Sequence, residues 1–211
     1  MGVNIMSTNF VDFLNNTFQT FDYNGLSFMH NLAELNNPFI YYFNKIMSLI
    51  GYDCVLLLVI AVILCLQTKN RKYGLTIIFS VALTFLINSL IIKKIVMRPR
   101  PYLASELYNQ WFVFVGSMGS SSSSFPSGHV SGLTAGLFSI CFYKKDIKWF
   151  LCSTMLIFFM AVSRVFFVAH YPSDCLFGFL EGIIIGFIGY CFVGKTNIVK
   201  NIMKRCFKLK M

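Results

Sequence analysis

Two histidines, His129 and His170, stand among residues suited to chemistry, each at the edge of a long apolar stretch of this 211-residue chain. Residues 163–174 place Ser163, Arg164, His170 and Asp174 at the junction of two strongly apolar segments. Charge beside a membrane span costs free energy, so it marks a functional position by default. Lys93 through Pro101, and Pro126-Ser127-Gly128-His129, have the same character. Arg100 and Arg164 carry guanidinium forks that match phosphate oxygens, and Lys93 adds a third cation. The Ser127 hydroxyl and the Gly128 amide are neutral donors, and proline at a first helical turn beside glycine makes an anion-binding helix start. Two imidazoles are enough for one nucleophile and one general acid. Asp174, four residues after His170, can hold that ring in one tautomer, as the third member of a triad does. These stretches predict a phosphate-handling site at one membrane surface.

The elements that carry them read as membrane spans. Hydrophobic residues make up 56% of the chain and charged ones 12%, a balance that a soluble domain of this size does not have. A span needs roughly 20 apolar residues, and five candidates fit: 46–66, 73–92, 127–143, 149–169 and 175–194. An all-α polytopic helical bundle is predicted, as a single catalytic domain over 46–194. Pro99 and Pro101 stop the second span, holding Arg98 and Arg100 in an extended segment at its mouth. Gly128, Gly132 and Gly136 in the third span, and Gly178, Gly182 and Gly186 in the fifth, recur every four residues. Such spacing lets membrane helices approach closely, so these two spans are expected to pack together and join the His129 and Asp174 ends. Residues 1–45, aromatic and rich in asparagine, suggest an interfacial helix or, over 1–25, a partly disordered tail. They show no basic region followed by an apolar core, hence no cleavable signal peptide. The run Ser120–Ser124 reads as flexible low-complexity sequence.

The net charge of +10 raises the possibility of nucleic acid, but its distribution argues against such a partner. Lys69, Arg71 and Lys72, then Lys144, Lys145 and Lys148, and finally the basic tail 195–211 all fall on one side if the spans alternate. That is the cytoplasmic side by the positive-inside rule. Lys93, Lys94, Arg98, Arg100 and Arg164 then lie on the other side, with both histidines. The seven cysteines have no metal-like spacing, so neither a metal nor another cofactor is expected.

The three stretches resemble the type 2 phosphatidic acid phosphatase (PAP2) superfamily. Lys93 precedes Arg100-Pro101 by six intervening residues; Pro-Ser-Gly-His stands unaltered at 126–129; Ser163-Arg164, His170 and Asp174 keep the third motif's spacing. The resemblance covers about 46–194. It implies a bundle of the PAP2/haloperoxidase type, in which six spans are common, so the first is expected to be missing here. It also implies metal-independent cleavage of a lipid phosphate. His170 would attack phosphorus and form a phosphohistidine, Asp174 would orient it, and His129 would protonate the leaving oxygen and then activate water. Lys93, Arg100, Ser127, Gly128 and Arg164 would hold the phosphoryl oxygens. Lys94 and Arg98 match no motif position and are expected only to attract anionic headgroups or substrate. Glu181, near the Asp174 face, reads as a structural hydrogen-bond partner.

The leading expectation is a cell-membrane lipid phosphatase with its site outside the cytoplasm. Phosphatidic acid, phosphatidylglycerol phosphate, undecaprenyl pyrophosphate and lipid A phosphates all present the same terminal group, and the short form of the chain favours an isoprenyl pyrophosphate. A lipid-to-lipid phosphotransferase would use the same site. A non-catalytic phospholipid-binding or transport protein predicts degraded motifs, and none is degraded. Oligomeric state is not readable from the sequence.

Overall fold

The computed structural model describes residues 5–51, 54–118 and 123–195. The tail beyond 195 and Ser120, Ser121 and Ser122 of the serine run lie outside the described residues. Helices run in the order α1 Ile5–Glu34, α2 Pro38–Ile50, α3 Val55–Leu66 and α4 Arg71–Phe85. A π-helical segment, Leu86–Ile92, leads into α5 Lys93–Val96. Then come α6 Pro101–Ala104, α7 Glu106–Phe114, α8 Gly128–Lys144, α9 Ile147–Phe166 and α10 Pro172–Lys195. No strand occurs among the described residues.

Three helical stretches are long and apolar enough to cross a membrane: Arg71–Ala104, Ile147–Phe166 and Pro172–Gly194. The first expected span is instead broken into α2 and α3, inclined at 49°, which together would make a fourth. The third, α8, has 17 residues and so extends only about 26 Å. Its length is explained by its place: Val130 to Cys141 are almost all buried, so α8 is the hub of the bundle and not one of its lipid-facing staves. Among the described residues three stretches, or four with the bent pair, are thus long and apolar enough to cross, against the five expected.

The glycine pattern divides between two partners. A Cβ on Gly178 would sit 2.8 Å from the Ser127 carbonyl, on Gly182 2.6 Å from the Ser131 carbonyl, and on Gly186 2.8 Å from the Ala135 carbonyl. The α10 glycines thus let α10 lie directly on the α8 backbone. Those of α8 face elsewhere: Gly132 meets Cys54, 2.6 Å from its Sγ, and Gly136 meets Leu57, both at the start of α3. Close packing of α8 on α10 is as expected, whereas α8 spends its own small residues on α3.

Residues 1–45 are not a loose tail over their described part. Leu14, Phe18, Asp22 and Leu26 follow one another at four-residue intervals and form one face of α1, with Leu14 and Leu26 fully buried. Phe18 meets Phe177 of α10 edge to face, Gly25 lies against the Pro172 ring, and His30 stacks on Trp111 of α7 at 4.7 Å. Helix α1 therefore runs beside the start of α10, in contact with protein as well as exposing apolar side chains such as Phe13 and Phe28.

Candidate active site

The bundle has chemically unlike ends. At one, Lys72 lies over Tyr73 and Tyr143, and Lys144 over Tyr73 and Trp149. At the other, the end of α5, the start of α8, the end of α9 and the start of α10 meet. The π segment, a form of helix often found at functional sites, delivers Lys93 to this second end. Met97, in the left-handed region at φ +51°, ends α5, and Pro99 and Pro101 hold the chain extended through Arg98 and Arg100.

A cavity of about 530 Å³ opens here, lined by Lys93, Arg100, Gly128, His129, Arg164 and His170 among others. Both imidazoles thus face one space. Arg100 donates from Nη1 to the Ala169 carbonyl at 2.8 Å and stands 3.4 Å from His170 Nε2. Arg164 donates to the Ser48 and Ser163 hydroxyls, and the Ser163 hydroxyl in turn donates to the Asn44 carbonyl at 2.7 Å. Helix α2 therefore aims the motif arginine. Ser127 and Asp174 are fully buried behind the wall, with the Ser127 N–H given to the Asp174 carbonyl at 3.1 Å.

The chain reaches His170 through a strained turn. Val168, a β-branched residue, sits at φ +53°, a conformation costing on the order of 1–3 kcal/mol and typical of sites where geometry matters more than ease. This turn aims the Ala169 carbonyl at Arg100. His170 Nδ1 lies 2.8 Å from the Ser124 carbonyl and 3.7 Å from Asp174 Oδ2. A carbonyl only accepts, so Nδ1 carries the hydrogen and Nε2 is left with its lone pair toward the cavity. Ser124, not Asp174, makes the shorter contact that fixes the tautomer. Burial, with Arg100 and Lys93 nearby, pushes the His170 ring down to about 4 against the pull of Asp174, so the ring is neutral near pH 7.

Arg98 departs most from expectation. It is 1% exposed and points away from lipid. Nη1 donates to Asp174 Oδ1 at 2.6 Å and to the Ser173 hydroxyl at 2.8 Å. Nη2 donates to Asp22 Oδ2 at 2.9 Å, and Nε to Asn15 Oδ1 at 3.0 Å. Its guanidinium also lies over the Tyr171 ring at 4.0 Å. Asp22 further accepts from the Ser173 N–H at 2.8 Å and the Ser173 hydroxyl at 2.7 Å. Burial raises its carboxyl above the ordinary value against the pull of Ser173 and Arg98. Lys94, by contrast, is exposed.

Ser123 and Ser124 are not idle either. Ser124 N–H donates to the Arg98 carbonyl at 2.9 Å and its hydroxyl to the Pro99 carbonyl at 3.2 Å, while the Ser123 hydroxyl reaches the Arg98 carbonyl at 3.3 Å. The end of the serine run is stitched to the extended arginine segment. Asp22, Arg98, Ser124 and Ser48 are therefore site residues that the motifs do not name. A usable signal existed for one of them: a carboxylate inside the apolar stripe Leu14, Phe18, Leu26 is costly unless paired.

Known proteins resemble this chain in both sequence and shape. The family profile described as "PAP2 superfamily" matches residues 73–198. The chain is 28% identical over 149 residues to undecaprenyl-diphosphatase BcrC of Bacillus subtilis (strain 168), covering 69% of each protein. Its fold matches the crystal structure of the first transmembrane PAP2 type phosphatidylglycerolphosphate phosphatase from Bacillus subtilis. That match has a TM-score of 0.67 at 19% identity, over 90% of this chain and 96% of the other. With the profile spanning more than half of its length and all three motifs converging at one end of an apolar bundle, the chain belongs to the PAP2 superfamily, as a multi-pass membrane phosphatase.

Proposed function

We propose that the chain hydrolyses a lipid-borne phosphate, with an isoprenyl diphosphate as the preferred class, on the extracytoplasmic face of the cell membrane. One observation carries the reading: His170, with its hydrogen on Nδ1, and His129 line the same cavity as Lys93, Arg100 and Arg164. A terminal phosphoryl group held by these cations and the Gly128 end of α8 has the nucleophile on one side and a proton donor within the same space.

His170 Nε2 forms a bond to phosphorus as the bond from phosphorus to the lipid oxygen breaks, and His129, which takes up a proton with the incoming phosphate anion, gives it to that oxygen. Water then attacks the phosphohistidine, His129 takes the proton, and orthophosphate leaves with Nε2 restored. Three cations and a helix start offset the charge on the phosphoryl oxygens as it shifts. The sidedness is supported by the gathering of Lys72 and Lys144 at the far end of the bundle. The isoprenyl preference is supported by the similarity to undecaprenyl-diphosphatase BcrC.

The test is orthophosphate release by the full chain in detergent with chelator present, over undecaprenyl diphosphate, phosphatidic acid, phosphatidylglycerol phosphate and lipid A. Undecaprenyl diphosphate is expected to turn over fastest, and quenched reactions are expected to contain acid-labile, base-stable phosphate on His170. Turnover that needs added magnesium, or phosphate that stays on a His170→Ala variant, would sink the mechanism. A faster rate with phosphatidic acid would move only the substrate preference.

A further inference from the structure

We infer that Asp22 of α1 is a positioning residue for the nucleophile, acting through Arg98 to set the charge with which Asp174 supports His170. The inference rests on the phosphatase reading above and adds to it a residue outside both the three motifs and the matched stretch 73–198. Asp22 is 3% exposed, and all three of its hydrogen-bond contacts are donors: Ser173 N–H, Ser173 Oγ and Arg98 Nη2. A carboxyl surrounded in this way is ionised.

Arg98 therefore lies between two carboxylates, Asp22 at Nη2 and Asp174 at Nη1. One cation between two anions leaves a single negative charge, and Asp174 Oδ2 presents it 3.7 Å from His170 Nδ1. Once Nε2 bonds to phosphorus while Nδ1 keeps its hydrogen, the ring becomes a cation. The negative charge of the trio then matches it, close to Arg100 and Lys93, which act against it. With Asp22 neutral, Arg98 and Asp174 would cancel and the phosphorylated ring would have no counter-charge. The loss belongs to the chemical step, because Asp22 lies behind the cavity and does not touch the substrate. Asn15 provides the contrast: it holds the same guanidinium from the same helix at 3.0 Å but carries no charge.

The experiment uses the full chain in detergent, with farnesyl diphosphate as probe and orthophosphate release as the readout. Asp22→Asn is expected to lower kcat roughly tenfold, less than removal of a group that itself touches the reacting oxygen, with KM within about twofold. Asn15→Ala, which loses a contact to Arg98 but no charge, is expected to lose no more than about threefold. The double variant Asp22→Asn with Arg98→Gln restores the single negative charge and is expected to recover at least about threefold over Asp22→Asn alone. An Asp22→Asn enzyme within twofold of the parent overturns the inference. So does a loss equal to that of Asn15→Ala, one seen only in KM, or a double variant no better than Asp22→Asn. Should Asp22→Asn not fold, the double variant, which carries the parent's single negative charge, is compared with the parent: kcat within about threefold supports the inference, and a loss of about tenfold or more refutes it. A parent enzyme that releases no orthophosphate, or a His170→Ala variant that releases as much, brings down the phosphatase reading and this inference with it. A loss specific to Asp22→Asn with those controls intact concerns Asp22 alone.

Discussion

Arg98 and Arg100 stand two residues apart in one extended segment, each followed by proline, and the fold gives them opposite tasks. Arg98 is 1% exposed and gripped by Asp22 and Asp174. Arg100 lines the cavity, held by the Ala169 carbonyl beside the lone pair of His170. In a regular strand side chains two residues apart share one face; this short segment, entered through Met97 at φ +51° and interrupted by Pro99 and Pro101, does not keep that register. What differs is the partner, not the residue type. A guanidinium between two carboxylates is structural glue, whereas one set in the cavity wall beside an imidazole is placed to meet an incoming anion.

The sharpest way to break this comparison is to remove the ring on which both arginines converge. His170→Ala is expected to lose about 10⁶-fold in kcat, as removal of a nucleophile does, measured as orthophosphate release. Next comes the pair itself. Arg100→Gln is expected to lower kcat/KM by roughly 10²–10³-fold and to weaken inhibition by vanadate. Arg98→Gln leaves two buried carboxylates facing each other, so its main effect is a fall in stability of about 3–5 kcal/mol, with vanadate affinity of the folded fraction kept. Equal vanadate affinities in the two variants would erase the distinction.

A pH series sharpens it further. In the unfolded chain a histidine binds its proton near 6.5, but folded His170 does so only near 4. Between these values the unfolded state holds more protons, so stability falls as pH drops from 6.5 to 4 and changes no further from this group below that. Thermal unfolding should show that slope in the parent and a weaker one in His170→Gln. Gly182→Ala, whose Cβ would meet the Ser131 carbonyl and Thr134, is expected to lower the midpoint more than Gly132→Ala, which meets only the Cys54 sulfur. The smallest effect belongs to exposed Lys94: Lys94→Ala should change turnover by less than about twofold, as surface changes usually do.

Much of the site is legible in the sequence. Lys93, Arg100, Gly128, His129, Arg164 and His170 reach one cavity because each sits at the end of a helix, and their order along the chain fixes which ends meet. Other features were hidden for physical reasons. A sequence states that Arg98 is a cation but not which carboxylate it faces, and Asp22 lies 76 residues away with no motif around it. The serine run reads as flexible because composition is blind to backbone contacts such as the Ser124 carbonyl with His170. The first span looked continuous by hydropathy, since a bend between α2 and α3 leaves apolar content unchanged. The α8 glycines indicated close packing correctly, but spacing alone does not name the neighbour.

One bond pattern has a bearing on how the protein is made. Residues 22 and 174 close upon the same guanidinium, so α1 and α10, far apart along the chain, are fastened to each other. A chain that lacks α10 still has His170 and the Arg98–Asp22 pair, but it lacks Ser173 and Asp174 and so the carboxylate beside the His170 ring. The charge arrangement beside His170 thus forms only once α10 has joined the helices made before it.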